Sequence, residues 1–302
     1  MDNYHHTISI KLELNEEEYE AIKSLEAACY EKQKINLKLE LGLKMRQRKK
    51  NVKNKIVGEF LYYENEILVG YLGLCNFGGA TVEISGMVHP NFRRKGIFKK
   101  LYLIAKEEWQ RICPQEVLMI CDHTSVSGLA FINSIGAEYG CSEYKMCLNK
   151  KVLEATPSNV IKLRLASTSE DAVEIDRQSS IYFGTPKKDA HDKEDKMDME
   201  KPSINVDDNF ISYMAELNGE IIGKIHICIN DNEGFIYGVG VIPDFRRKGY
   251  GREILNSALN ILNNKNVDNI FIEVSRSNKN ALGLYESCGF EEISVMDYYV
   301  VY

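Results

Sequence analysis

The chain has 302 residues, long for a single hydrophobic core and comfortable for two domains of about 150 residues each. Its 44% hydrophobic and 27% charged composition is that of an ordinary folded protein, and 6 prolines argue against long disordered linkers. A net charge of -6 disfavours nonspecific nucleic-acid binding, and with neither a membrane-length apolar run nor a leader pattern at Met1–Thr7 the cytoplasm is the expected compartment.

The first predicted element is a strand at Ile8–Leu12, followed by a helix capped by Asn15 with glutamates in its first turn. A hairpin follows over Phe60–Gly70, turning at Glu64–Glu66. Next comes a strand ending in Val88-His-Pro90, the run Arg93-Arg94-Lys95-Gly96, and an amphipathic helix. A strand at Val117–Cys121 and a short helix carrying Phe131 and Ile132 complete the series, with Gly136 after them. At an offset of 153 residues the series returns without a gap. Ile161–Leu165 repeats the first strand, with Thr168 as the cap, and Tyr213–Gly223 repeats the hairpin around Asn218-Gly219, a strong turn signal. Val241-Ile-Pro243, Arg246-Arg247-Lys248-Gly249 and a helix with Ile254, Leu255, Ala258, Leu259, Ile261 and Leu262 repeat the third block; Leu284, Tyr285 and Gly289 repeat the fourth, after a strand at Asn269–Val274. Four blocks in one register mark a duplication, divided where Ala-Thr-Pro-Ser-Asn interrupts the pattern between Leu153 and Asn159: domains 1–152 and 158–302.

The third block has the physics of an anion cradle. A helix start leaves backbone N–H groups unpaired, glycines at 249 and 251 allow close approach, and Arg246, Arg247 and Lys248 add attraction. No Walker A loop occurs, and Ile254 stands where a dinucleotide fingerprint needs its last glycine. The eight cysteines, at 29, 75, 113, 121, 141, 147, 228 and 288, form no C-x-x-C pair and no cluster with histidine, so reduced buried thiols are expected and no metal.

These residues resemble the GNAT superfamily of acetyltransferases. Its signature [QR]-x-x-G-x-[GA] is met by Arg246, Gly249 and Gly251 after Val241-x-Pro243; its second signature is met by Asn278, Ala281, Leu284, Tyr285, Gly289 and Phe290. The resemblance covers residues 158–302 and, less sharply, 8–152. It implies an α+β (mixed α/β) protein of two tandem GNAT folds, each a mostly antiparallel twisted sheet flanked by helices. It implies acetyl-CoA as cosubstrate, an amine acceptor attacking directly, and no membrane. Acetyl-CoA binding falls to Val239, Gly240, Val241, Arg246, Arg247, Lys248, Gly249, Tyr250, Gly251, Arg252 and Asn278, with Tyr285 as the acid for the leaving thiolate. Asn278 reads equally as a helix cap. Glu273 is the candidate base, reaching the acceptor through water, or a structural glutamate; strand alternation leaves its face open.

The first copy keeps Val88, Arg93, Arg94, Lys95 and Gly96, so residual CoA binding is expected there if the ring of Phe98, which replaces the second glycine, points away. Ser125 and Ile132 stand where the second copy has Asn278 and Tyr285, so this copy is read as degenerate. Cys121, Asp122 and His123, adjacent on a strand end, point apart and make no nucleophilic set. The copies also differ in charge. Lys44, Arg46, Arg48, Lys49, Lys50, Lys53 and Lys55 form a basic run; Asp189, Asp192, Glu194, Asp195, Asp198 and Glu200 form an acidic one. The acidic run is read as drawing a cationic amine, or both runs are read as solvated surface segments that attract each other. The basic run supports an alternative class, an acyl-CoA sensor or nucleic-acid-associated regulator without turnover. The tandem layout suggests a third reading, acetylation of an amino sugar or thiol-cofactor precursor.

Overall fold

A computed structural model of the chain describes residues 5–49, 57–76, 80–149, 160–183, 210–230 and 232–302. The expected division between 152 and 158 and the whole acidic run lie outside the described residues. The chain forms two compact units, Met1–Ser142 with Ser294–Tyr302, and Glu143–Ile293.

The N-terminal unit is built from β1 (His6–Lys11), α1 (Glu16–Gln33), α2 (Leu41–Lys49), β2 (Glu59–Glu64), β3 (Ile67–Cys75), β4 (Thr81–Val88), α3 (Ile97–Ile112), β5 (Glu116–Asp122) and α4 (Val126–Ser134). Two strands, β6 (Glu138–Leu148) and, at the far end of the sequence, β12 (Phe290–Val300), each run from one unit into the other. The C-terminal unit contains β7 (Lys162–Leu165), α5 (Ser169–Phe183), β8 (Phe210–Leu217), β9 (Glu220–Asn230), β10 (Glu233–Val241), α6 (Tyr250–Asn264), β11 (Asn269–Ser275) and α7 (Lys279–Glu286). The strand order is β1-β2-β3-β4-β5-β12 in the first unit and β7-β8-β9-β10-β11-β6 in the second. The pairs β4/β5 and β10/β11 are parallel, and the other pairs are antiparallel. Each unit therefore takes its last strand from the other sequence copy: Met296–Val300 pair with Asp122–Leu118, and Cys147–Glu143 pair with Phe271–Ser275.

Local chemistry explains the elements. Asn15 and Glu18 form a reciprocal capping box at α1, and Thr168 Oγ1 accepts the Asp171 N–H at α5. Both hairpin turns hold two consecutive residues in the left-handed region, Asn65-Glu66 and Asn218-Gly219, the twist that closes a two-residue hairpin. On one face of the first sheet α3 packs Leu101, Ala105 and Trp109 against Val69, Leu72 and Ile84, and on the other α1 packs Ile22, Leu25 and Cys29. In the second unit α6 packs Ile254, Leu255, Ala258 and Leu259 against Ile225, Ile227, Ile236 and Ile272.

Beneath the first helix of each copy lies a buried polar cluster at equivalent positions. In the N-terminal unit Lys44 pairs with Glu59 at 2.8 Å, and the Tyr71 hydroxyl donates to Glu59 at 2.6 Å. Lys44 thus leaves the basic run expected at the surface, because a carboxylate fifteen residues away in sequence draws it inside. In the C-terminal unit Ser212 and Lys224 take the places of Glu59 and Tyr71. Lys224 donates to Ser179 and approaches His226 Nε2 at 3.3 Å, while His226 Nδ1 meets Ser212 Oγ at 2.8 Å. Burial, reinforced by the Lys224 charge, lowers the His226 pKa to about 4. A histidine whose folded pKa is depressed stabilises the fold fully above its unfolded value near 6.5, and that contribution disappears as the pH falls through 4. Acidification across this window is expected to remove about 3 kcal/mol. Urea unfolding at several pH values checks this, and His226→Asn should flatten the slope.

Candidate active site

The C-terminal unit gathers the predicted residues at one edge of its sheet. Strands β10 and β11 pair in parallel only from Glu233–Asn269 to Ile236–Ile272; beyond that no pairing holds Tyr237–Val241 to Glu273–Ser275. At the same point β10 bulges against β9, the register shifting between Tyr237 and Gly240, with Gly238 at φ 56°. A bulge re-aims backbone groups, and this one sits where the strands part. In the N-terminal unit β4 also parts from β5, after Ile84–Met119, yet its register against β3 is unbroken.

Val239, Gly240 and Val241 form the end of β10, followed by the loop and α6. Arg246 and Arg247 brace this loop: Arg246 Nε donates to the Val241 carbonyl at 2.8 Å and its guanidinium lies 5.7 Å from the Tyr182 ring centre, while Arg247 Nη1 reaches Asn280 at 3.4 Å. Lys248 donates to the Asp244 carbonyl. Gly249 caps α6 at φ 89° with no side chain occupying the first-turn N–H groups, so the cradle expected there keeps its donors toward the loop. Tyr250 packs half-buried on the core, and Arg252 donates to the carbonyl and hydroxyl of Ser287. A side chain at Gly251 would stand 3.3 Å from Leu284. The loop and α7 are thereby clamped together, with Tyr285 beside the clamp.

Tyr285 is buried, and burial raises its pKa to about 12, so the phenol is protonated at neutral pH. Asn278 caps α7, accepting the Ala281 N–H at 3.2 Å. Glu273 lies half-buried on β11 opposite Lys145; Ile272 and Val274 face the α6 core, which puts Glu273 on the other face with Phe271. That face is the one α5 covers, and Tyr182 of α5 lies directly over Gly240. Sequence reasoning passed over the Tyr182 contact and the bulge, although two glycines alternating within a strand were a signal for the second. A Cβ at Gly240 would collide with the Tyr182 ring, so Gly240→Ala is expected to cost about 1–3 kcal/mol. In a Tyr182→Ala background the same change should cost far less, which a double-mutant cycle in urea would measure.

In the N-terminal unit Arg93 repeats the brace, Nε donating to the Val88 carbonyl at 2.9 Å. Gly96 caps α3 at φ 76°, and Arg94 is exposed. Lys95 lies 4.7 Å from the Phe92 ring centre. Phe98 does not point away: its ring meets Phe131 edge-on at 4.7 Å and would stand 3.0 Å from a Cβ at Gly86, across the cleft. Ile132 is buried in the position of Tyr285. His123 is held by Asp297 at 2.8 Å rather than by Asp122, and Cys121 is a buried thiol raised to about 11, so no nucleophilic set forms.

A family model described as the acetyltransferase (GNAT) family matches residues 174–290, the segment that contains the bulge, loop, clamp and Tyr285. Residues 174–290 are thus similar to the GNAT family. A [ribosomal protein bS18]-alanine N-acetyltransferase of Escherichia coli K12 is 29% identical over 91 residues, 30% of this chain and 62% of that protein. The enzyme of the same name from Salmonella typhimurium is 38% identical over 64 residues, 21% of this chain and 43% of that protein. The chain thus spans less than two thirds of the length of these relatives. Two solved structures share the fold across both units. A GCN5-related N-acetyltransferase from Sphaerobacter thermophilus superposes with TM-score 0.71 at 18% identity, covering 98% of this chain and 95% of that one. A tandem GNAT protein from the clavulanic acid biosynthesis pathway gives 0.70 at 14%, covering 98% of each. The GNAT fold is present twice.

Proposed function

We propose that the C-terminal GNAT copy transfers an acetyl group from acetyl-CoA to a primary amine by direct attack. The observation that carries this reading is the bulge at Gly238, set where β10 and β11 part and flanked by the α6 loop and Tyr285. The diphosphate would rest on the loop of Arg246 to Gly251 and the pantetheine arm along Val239–Val241. A neutral amine attacks the thioester carbonyl carbon, the C–S bond breaks, and the departing thiolate takes the Tyr285 proton. Glu273 receives the nitrogen's proton through water, and solvent exchange restores both groups. The products are an amide and free CoA thiol. A carbonyl polarised by a backbone N–H at the bulge would supply oxyanion stabilisation.

A peptide α-amine is the first acceptor to try, since the relatives act on an alanine of a ribosomal protein. The acidic run from Asp189 to Glu200 would favour a cationic acceptor. The N-terminal copy, with Ile132 in place of Tyr285, is read as having no turnover, and with the Phe98 ring lying across its cleft the condition for residual CoA binding at Val88 and Arg93–Gly96 is not met. Among the described residues no helix is long and apolar enough to cross a membrane. Calorimetric titration of acetyl-CoA with a thiol-release assay against peptides and small amines tests the reading. Binding with release supports it, and absence of both overturns it.

A further inference from the structure

Two side chains of β9, Lys224 and His226, bracket the bulge of β10. The register shift falls between the pairs Tyr237–His226 and Gly240–Lys224, and strand alternation puts both side chains on the face that α5 covers. The His226 ring packs on Gly238 itself, with Cδ2 2.7 Å from where a Cβ would stand. Lys224 is 1% exposed. A buried ammonium is costly unless a carboxylate pairs with it, yet among the described residues none does. Asp176 of α5, the carboxylate that acts on it, is exposed and makes no ion pair with it.

The partners that hold the ammonium are neutral. One N–H goes to Ser179 Oγ and one to His226 Nε2, so the imidazole proton sits on Nδ1 and is given to Ser212 Oγ. These bonds fix the charge in place without cancelling it. Burial lowers the Lys224 pKa to about 8, which still leaves the group charged at neutral pH. The N-terminal copy is an internal comparison: Tyr71 stands in the place of Lys224, and the buried Lys44 beside it is neutralised by Glu59 at 2.8 Å. That copy has an unbroken register at β4 and Ile132 in place of Tyr285. An unneutralised charge, a bulge and a buried phenol thus occur together in one copy and are all missing from the other.

From this we infer that the Lys224 ammonium is a fixed positive charge behind the bulge, stabilising the negative oxygen formed when an amine attacks a thioester carbonyl held at Gly238–Gly240. Lys224 touches no reacting atom, and none of its own bonds forms or breaks. It acts through space, in a low-dielectric setting where a charge is felt more strongly than in water. The full negative charge exists only after attack, so Lys224 lowers the barrier and leaves acetyl-CoA affinity nearly unchanged. The inference rests on the proposed transferase reading and adds a residue to it.

The test compares the full chain with Lys224→Met and Lys224→Gln, the second keeping an N–H donor for Ser179 and His226. Isotope-edited infrared spectra of bound [1-13C]acetyl-CoA need no acceptor. The carbonyl stretch should lie below that of free acetyl-CoA in the wild type and move back toward it in both variants. Thiol release should fall by about ten- to a hundredfold in both, with acetyl-CoA affinity kept and the melting temperature equal or higher, because a buried charge has been removed. The wild-type rate should also fall as the pH rises through about 8, and this limb should vanish in the variants. Around Lys224, His226 titrates at about 4, Tyr182 is pushed above the ordinary phenol range, and Asp176 and Glu273 are carboxylates, so none of them supplies that limb. Deprotonation of the acceptor amine has the opposite sign. An unmoved carbonyl stretch, or unchanged thiol release and pH profile, would overturn the inference and leave the transferase reading standing. Wild-type behaviour in Lys224→Gln alone would assign a hydrogen bond rather than a charge and overturn it too. Failure of the wild type to bind acetyl-CoA would remove the transferase reading and this inference with it.

Discussion

Tyr285→Phe is expected to lower thiol release from acetyl-CoA by about a hundred- to ten-thousandfold, the span of a positioned proton donor, while acetyl-CoA affinity changes little. The ring is packed in the core of its unit, 6.2 Å from Phe290, and phenylalanine preserves that packing. Only the hydroxyl is lost. With a pKa raised to about 12, the phenol holds its proton through the neutral range, so under the proposed mechanism its loss removes the acid that protonates the thiolate. Rates for Tyr285→Phe should therefore become sensitive to the thiol pKa of the leaving group, because an unprotonated thiolate now departs unaided. A Glu273→Gln variant should instead lower thiol release with acetyl-CoA affinity unchanged, because the proton of the attacking nitrogen then has no base to receive it. Wild-type thiol release in Tyr285→Phe with every acceptor tried would remove the tyrosine from the mechanism.

Much of this arrangement can be read from residues alone, for identifiable reasons. The repeat at offset 153 exposes both copies because hydrophobic periodicity, hairpin turns and the Arg-x-x-Gly loop are local properties. The loop, its glycine cap and the second motif at Asn278 and Tyr285 were legible in the same way. The partner of a strand is not local. The alternating patterns of β6 and β12 state which face is buried and leave open which neighbour they join, so the exchange of last strands has no signature in the offset. Lys44 was misread for a related reason: six further basic residues suggest a solvated run, and only the fold brings Glu59 to it. The direction of the Phe98 ring likewise depends on Gly86 and Phe131, contacts made across the sheet edge.

Removing residues 294–302 is expected to unfold the N-terminal unit, whereas a division by sequence copy would put the damage in the C-terminal one. The segment belongs to the first unit and forms its last strand, Met296–Val300 paired along β5 and the Val301 N–H bonded to the Val117 carbonyl at 2.9 Å. Met296, Tyr298 and Val301 are buried there, and each apolar side chain contributes about 1.5–3 kcal/mol when buried. Asp297, 3% exposed, holds His123 at 2.8 Å and accepts the Ser142 hydroxyl at 2.6 Å, so its removal also strands two polar partners. Together these losses rival the whole stability of a domain, about 5–15 kcal/mol. Trp109 should pass from buried to solvated emission in native buffer, and the first unit should lose its cooperative melting transition. Deleting Tyr302 alone, an exposed residue, should leave both features in place. A buried Trp109 with a wild-type melt in the nine-residue deletion would mean that β5 does not need this strand, and the exchange would then be dispensable to the N-terminal fold.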